Sequence, residues 1–165
     1  MSDDRVVTLP VKQFMLIEHC PPDWRGLDLY LFRDEDLVFY VGQSYGAFDR
    51  VWEHLRQGFR GRSVIGRFIL CNWPKSLNYQ INLMSSQSIP FAPVQHNLHA
   101  AEAELIQRWS PCFNQALNHQ PTPLPDRYIL PSAPLRCSRS LTRLLREAER
   151  AVKVDERRHW LTVSE

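Results

Sequence analysis

Two short apolar runs set the first constraint. Residues 27–33 (with Leu27, Leu29, Tyr30, Leu31 and Phe32) and 37–42 (Leu37, Val38, Phe39, Tyr40, Val41 and Gly42) are rich in aliphatic and aromatic side chains, and only Asp34-Glu35-Asp36 separates them. Such a pair reads as a β-hairpin with a three-residue loop. With Arg33 set opposite Leu37, Tyr30 falls directly opposite Tyr40, where Cβ atoms stand about 4.5–5.5 Å apart. Two phenols then stand side by side on one face.

The rest of the chain supplies elements around that hairpin. Ser44 is placed to cap a helix reaching about Arg56. Phe48, Val51, Trp52 and Leu55 line one side of its wheel, and Arg50 and His54, at i,i+4, project together from another. Residues 63–72 read as a second, short helix stopped near Pro74. Residues 78–84 alternate polar and apolar, which predicts a third, half-buried strand, and 85–95 read as loop. A long helix over 97–109 ends at Ser110-Pro111. Beyond Asn118 five prolines mark a linker or surface strap, and a final helix spans about 138–154.

The length, 165 residues, fits one domain, and 44% hydrophobic against 23% charged residues is ordinary for a globular protein. No apolar run approaches the 18 or so residues of a membrane helix. The N-terminus Met1-Ser2-Asp3-Asp4-Arg5 lacks the apolar stretch of a secretory signal. Cys20, Cys71, Cys112 and Cys137 are too far apart in sequence for zinc-site pairs and demand no disulfide framework, so the expectation is a cytoplasmic protein with reduced thiols.

A net charge of +2 would by itself predict no polyanionic partner. The charges are nevertheless sorted. Residues 1–36 hold eight acids against four bases, residues 50–75 six bases against Glu53 alone, and residues 136–158 eight bases against four acids. A balanced total built from unbalanced blocks can still bind a polyanion on one side.

Glu102 is the most informative single residue. It shares a helical face with Leu98, Leu105, Ile106 and Trp109, whereas Glu104 points away and can pair with Arg108. A carboxylate in an apolar stripe is costly unless a cation, a metal or dense hydrogen bonding meets it. A stripe-edge Glu reaching solvent, or one held by a buried Arg, is the plainer reading of that residue alone. Tyr30 and Tyr40 can serve as packing residues, Arg50 and His54 as an exposed polar stripe, and Asn114 as a turn residue. His96 and His99 lack a third ligand at metal-site spacing and read as surface residues.

Taken in order, these residues form a recognisable set. Leu29-Tyr30-Leu31, then Tyr40-Val41-Gly42-Gln43-Ser44, then Arg50-x-x-x-His54, then Glu102 twelve residues before Asn114 resembles the GIY-YIG nuclease family. The tail Leu105-Ile106…Pro111-x-Phe113-Asn114 resembles that family's closing motif. The likeness covers Asp28 to about Asn118, and its specificity lies in the ordered set rather than in any tripeptide. Asp28 and Leu29 replace the Gly and Ile of the first motif, Gln43 stands where some members have lysine, and the stretch from His54 to Glu102 has room for an extra helix.

The resemblance implies an α+β fold: a small central three-stranded antiparallel sheet flanked by helices. The core would occupy 27–118, after an N-terminal lead-in (1–26) and before a proline-rich linker (119–135) and a basic C-terminal helix (136–165). It implies hydrolysis of phosphodiester bonds, mostly in DNA, with one divalent metal, Mg²⁺ or Mn²⁺, on Glu102. Arg50 would stabilise the charge on the phosphorane. One of the two tyrosines, Tyr30 in preference to Tyr40, would act as or orient the base. His54 would hold the phosphate or the phenol, and Asn114 would orient a neighbouring group. A scaffold kept for DNA binding or interaction without turnover is the alternative, and an RNA-cleaving member is a third.

Two basic segments suit nucleic acid. Arg56, Arg60, Arg62, Arg67 and Lys75 interleave with Phe59, Phe68 and Trp73 around a glycine-containing loop, and each phosphate contact there adds salt-dependent affinity. Arg139, Arg143, Arg146, Arg150, Lys153 and Arg157, spaced 4-3-4-3-4, form a basic stripe along the last helix. Solvated surface with Arg–Glu pairs is the plainer reading of both.

Overall fold

The computed structural model describes residues 6–58, 62–134 and 140–163. In chain order the elements are β1 (Val7–Pro10), a single turn α1 (Val11–Phe14), β2 (Leu29–Asp34), β3 (Leu37–Gln43), α2 (Ala47–Gly58), α3 (Val64–Cys71), β4 (Gln80–Met84), α4 (Leu98–Trp109) and α5 (Leu141–Val163). Short 3-10 turns cover Pro22–Trp24, Lys75–Asn78 and Ile89–Val94, the last inside the stretch read as loop. The fold is α+β, with a four-stranded antiparallel sheet in the order β1-β4-β2-β3.

The expected count was three strands. The extra one, β1, comes from the N-terminal lead-in and pairs Thr8 with Asn82 and Leu9 with Ile81. Four residues ending in Pro10 give too short a pattern to recognise, yet Pro10 is tolerated because it closes an edge strand. The lead-in also places Val11 and Phe14, both fully buried, in the larger core, so it belongs to the domain rather than preceding it.

Helices cover both faces of the sheet. On one face Tyr30, Phe32, Ile81 and Leu83 pack with Phe14, Phe48, Val51, Ile65 and Phe68. On the other, Leu29, Leu31, Val38 and Val41 meet Phe91, Ala101, Leu105 and Ile106. Burial on both sides explains why residues 29–32 are continuously apolar instead of alternating. It also makes β4 more than half-buried: Asn82 is buried on the face opposite Ile81 and Leu83, and its Nδ2 donates to Thr8 Oγ1 at 2.6 Å.

The hairpin forms with a shifted register. Arg33 pairs with Val38 and Asp34 with Leu37, leaving a two-residue loop in which Glu35 adopts a left-handed φ of 52°. A bulge then makes Phe39 the extra residue, so Phe32 pairs with Tyr40 and Tyr30 pairs with Gly42. The phenols are diagonal neighbours, not opposed ones, with ring centroids 6.2 Å apart. Gly42 is required there, because a Cβ would stand 2.3 Å from the Tyr30 phenol.

The prolyl segment is a docked strap. Arg67 Nε donates to the Pro131 carbonyl at 2.5 Å and its Nη2 to Ala133 at 3.1 Å. Asn72 exchanges two bonds with the Ile129 backbone, and Tyr128 enters the core while donating to Asp34 Oδ2 at 2.5 Å. Helix α5, longer than expected, is likewise part of the domain. It buries Leu144 and Ala148, pairs Asp155 with the buried Lys12, and accepts Trp73 Nε1–H on Glu147 at 2.6 Å. Among the described residues no helix is long and apolar enough to cross a membrane.

Helices α2 and α3 meet at two glycines. A Cβ on Gly66 would lie 2.0 Å from the His54 carbonyl oxygen, and one on Gly58 would lie 2.6 Å from the Gly66 backbone. Gly66→Ala is therefore expected to cost at least about 2 kcal/mol in urea-induced unfolding, the scale of core overpacking. Gly26→Ala, where a Cβ meets nothing within 4 Å, is expected to change stability little.

Candidate active site

The site lies along the outer edge of β3, where the two helical layers approach each other. An open edge strand presents unpaired backbone groups, and residues 112–114 cover it. Cys112 and Phe113 donate backbone N–H groups to the Val38 and Phe39 carbonyls at 3.2 and 2.9 Å. Asn114 completes the pairing with its side chain, Oδ1 accepting from Val41 N–H and Nδ2 donating to the Val41 carbonyl, both at 2.9 Å. Asn114 thus positions the strand that carries Tyr40.

A cleft of about 480 Å³ opens beside this edge. Its lining brings together Tyr40 from β3, Arg50 and His54 from α2, Arg62 and Ser63 from the approach to α3, Glu102 from α4, and Asn114. Five of the six residues singled out by sequence therefore share one cleft. The sixth, Tyr30, lies deeper: it is 2% exposed, beneath Tyr40 and against His54. The bulge at Phe39 produces this layering, sending Phe39 into the core while Tyr40 stays on the same side, half-buried.

Polar contacts run inward from the cleft. Tyr30 Oη lies 2.8 Å from His54 Nε2, and His54 Nδ1 lies 2.9 Å from Ser63 Oγ. Ser63 Oγ in turn accepts the Gly66 N–H at 3.0 Å, capping α3. Arg50 donates to Glu53 Oε2 at 2.8 Å, and Gln57 donates to Glu53 Oε1 at 3.2 Å. Burial, reinforced by the Arg50 charge, lowers the His54 pKa to about 4, so its imidazole is neutral at pH 7. Burial raises Tyr30 well above the ordinary phenol value; the Tyr40 phenol adds to the rise and Arg50 opposes it. Tyr40 is raised by burial and then by Glu102, with Arg50 and a hydrogen bond from Tyr30 acting the other way.

Glu102 is half-buried, and burial raises its pKa, with His99 the opposing influence. It makes no hydrogen bond or ion pair among the described residues. A desolvated carboxylate with free lone pairs beside phenols is a fitting anchor for a hard divalent cation, which would restore the missing positive charge. Among the described residues no three His, Cys, Asp or Glu side chains gather in one place. A metal at Glu102 would therefore take its remaining ligands from water and substrate oxygens, as Mg²⁺ commonly does.

The expected nucleic-acid residues separate into groups. Arg62 lines the cleft. Arg56 lies over the Trp52 ring, 5.2 Å from its centroid, and Lys75 is exposed. Arg67 commits its guanidinium to the strap carbonyls. Arg143, Arg146, Arg150, Lys153 and Arg157 are all exposed along α5, though Arg143 stands 4.0 Å from Glu147 and Lys153 2.9 Å from Glu149. Arg60 and Arg139 lie outside the described residues.

Sequence reasoning missed Ser63 and Glu53. Ser63 carried a signal, a serine opening a short helix, but its contact with His54 depends on the glycine crossing of α2 and α3. No family model matches the chain, and neither a curated protein nor a solved structure matches it.

The His54 shift has a thermodynamic consequence. Its folded value of about 4 lies below the ordinary histidine value of 6.5, so on acidification the unfolded chain takes up the proton first. Stability should then fall between pH 6.5 and about 4 by as much as about 3 kcal/mol, with no contribution above that window. Comparing urea unfolding of the wild type with His54→Gln across pH isolates this loss, which the variant should lack.

Proposed function

We propose that this cleft hydrolyses phosphodiester bonds in DNA with one divalent metal, Mg²⁺ or Mn²⁺, held by Glu102. One observation carries the reading: an unpartnered, partly desolvated carboxylate shares a cleft with Arg50, Tyr40 and His54, with Tyr30 bonded to His54 behind them. The ordered motifs that resemble the GIY-YIG nucleases support the same assignment.

When bound, a metal held by Glu102 would supply Lewis-acid charge to the reacting phosphate. Arg50 faces the same phosphate from the opposite wall; its guanidinium leaves Glu53 and stabilises the extra negative charge of the pentavalent phosphorane. The phenol pair handles the proton of the attacking water. Tyr40 reaches the cleft and Tyr30 backs it; once the pair has given one proton to solvent, the resulting phenolate takes the proton of the attacking water as the water oxygen bonds to phosphorus. The P–O3′ bond breaks, and the 3′ oxygen takes a proton from solvent. A phenol is a weak base near neutral pH, and Arg50 together with a cation neutralising Glu102 lowers the cost of the phenolate. Neutral His54 holds Tyr30 in place, and Asn114 holds the strand beneath Tyr40.

Arg62 extends the phosphate track out of the cleft. On α5 we assign Arg143, Arg146, Arg150, Lys153 and Arg157 to the phosphate backbone, contacts that add affinity without sequence information. Arg146, Arg150 and Arg157 have no acidic partner among the described residues, which leaves them available.

Nicking of supercoiled plasmid in the presence of Mg²⁺ tests the chemistry. Glu102→Ala is expected to abolish it, and wild-type rates in that variant would remove the mechanism. Metal-dependent binding without nicking by the wild type would point to a non-catalytic module, and parallel reactions on single strands and RNA define the substrate class. The docking of α5 into the core makes point variants preferable to truncation. Arg146→Gln with Arg150→Gln should leave folding intact and make the slope of log affinity against log salt shallower by about two, measured by fluorescence anisotropy.

A further inference from the structure

Ser63 makes two contacts whose polarities are linked. Its Oγ accepts the Gly66 N–H at 3.0 Å, a bond whose direction is fixed because the donor is a backbone amide. The side chain is almost wholly buried, at 6% exposure. Its own hydroxyl hydrogen needs an acceptor, and among the described residues the only other polar partner is His54 Nδ1, at 2.9 Å. A buried hydroxyl left without an acceptor is costly, so the hydrogen goes to Nδ1.

We infer that Ser63 sets the tautomer of His54 and thereby the direction of the whole hydrogen-bond chain that ends at the cleft. With Nδ1 accepting from Ser63, the neutral ring carries its hydrogen on Nε2 and donates it to Tyr30 Oη across 2.8 Å. The Tyr30 oxygen is then an acceptor toward His54, and its own hydrogen turns away from the imidazole, to the side of the neighbouring Tyr40 phenol with which it interacts. Every donor in the chain, from Ser63 through His54 and Tyr30, points at the phenol that lines the cleft. In the opposite tautomer Tyr30 would donate inward to Nε2 and no longer toward Tyr40.

The functional part of this inference rests on the nuclease reading, and Ser63 is a positioning residue in it. Donors aimed outward favour negative charge on the phenol pair; donors aimed inward oppose it. The cap of a short helix therefore determines how readily the phenols take the proton of the attacking water. The position depends on the close crossing at Gly58 and Gly66, which places the first turn of α3 against α2.

Long-range ¹H–¹⁵N correlation spectra of the full-length, metal-free protein read the tautomer directly. The wild type is expected to show Nδ1 of His54 as the unprotonated nitrogen and Nε2 as the protonated one. Ser63→Thr, which keeps the hydroxyl, should preserve that pattern. Ser63→Asp keeps an acceptor for the Gly66 N–H but has no hydrogen to donate, so it should move the ring hydrogen to Nδ1. A wild-type spectrum with Nδ1 protonated, or an Asp variant with the wild-type tautomer, overturns the inference. In the plasmid assay the Asp variant should lose kcat by about tenfold or more with KM little changed, and the Thr variant should restore it. A wild type with no nuclease activity on any substrate defeats the functional reading but leaves the tautomer result to stand or fall on the spectra.

Discussion

The bond pair between Asn114 and Val41 governs the geometry around the cleft. A sheet edge must satisfy its backbone groups, and the first part of that task is done by ordinary backbone pairing from Cys112 and Phe113. At Val41 a side-chain amide takes over and reproduces both bonds of a neighbouring peptide. Because a side chain finishes the pairing, the chain leaves the strand after Asn114, and Gln115 and Ala116 line the cleft. The same clamp secures the strand between Tyr40 and Gly42, one lining the cleft and the other leaving room for Tyr30. Edge protection and site construction are thus one interaction.

The charges around the cleft are arranged asymmetrically. On the α2 wall, Arg50 is already satisfied by Glu53, at about half exposure for both side chains; such exposed pairs are weak, and a phosphate can displace the carboxylate at little cost. On the α4 wall, Glu102 has no such partner and is partly desolvated. Removing a carboxylate from water without compensation opposes folding, so the resting protein carries a standing cost that binding of a cation would relieve. An unpaired carboxylate facing a replaceable ion pair is a poor arrangement for stability and a good one for receiving a metal and an anion together.

Much of this was legible in the sequence, and the failures have specific causes. The hairpin, the starts of α3 and α4 near residues 63 and 97, and the grouping of Arg50 with His54 follow from local pattern and spacing. The direct opposition of Tyr30 and Tyr40 did not survive, because the two-residue loop and the bulged Phe39 each shift the register by one, and no local rule announces the bulge. Strand β1 was too short to show a period. Arg67 carried the same charge signal as Arg62, but only the course of the strap decides that one binds carbonyls and the other faces the cleft. The prolines beyond Asn118 indicated an extended segment correctly; that it is pinned by Asn72, Arg67 and Asp34 is a long-range matter. Likewise α5 read as a basic tail, and where its apolar Leu144 and Ala148 pack is again a long-range matter.

Asp28 shows how a departure from the resembling motif can be structurally positive. Where the likeness calls for glycine, this chain has an aspartate whose Oδ1 accepts the Ser86 N–H at 2.8 Å and whose Oδ2 accepts the Ser86 hydroxyl at 2.7 Å. Its backbone donates to Met84 and accepts from Ser44. One residue therefore ties the start of β2 to the exit of β4 and to the turn that leads into α2. A glycine would retain the backbone bonds and lose the two made to a carboxylate, which are the stronger kind. The stretch after β4 has to turn through Ser86, Gln95 and His96, the last two left-handed, before Asn97 caps α4 and aims Glu102 at the cleft. Anchoring the beginning of that stretch fixes where α4 starts, so the carboxylate at position 28 helps determine where the carboxylate at position 102 is held.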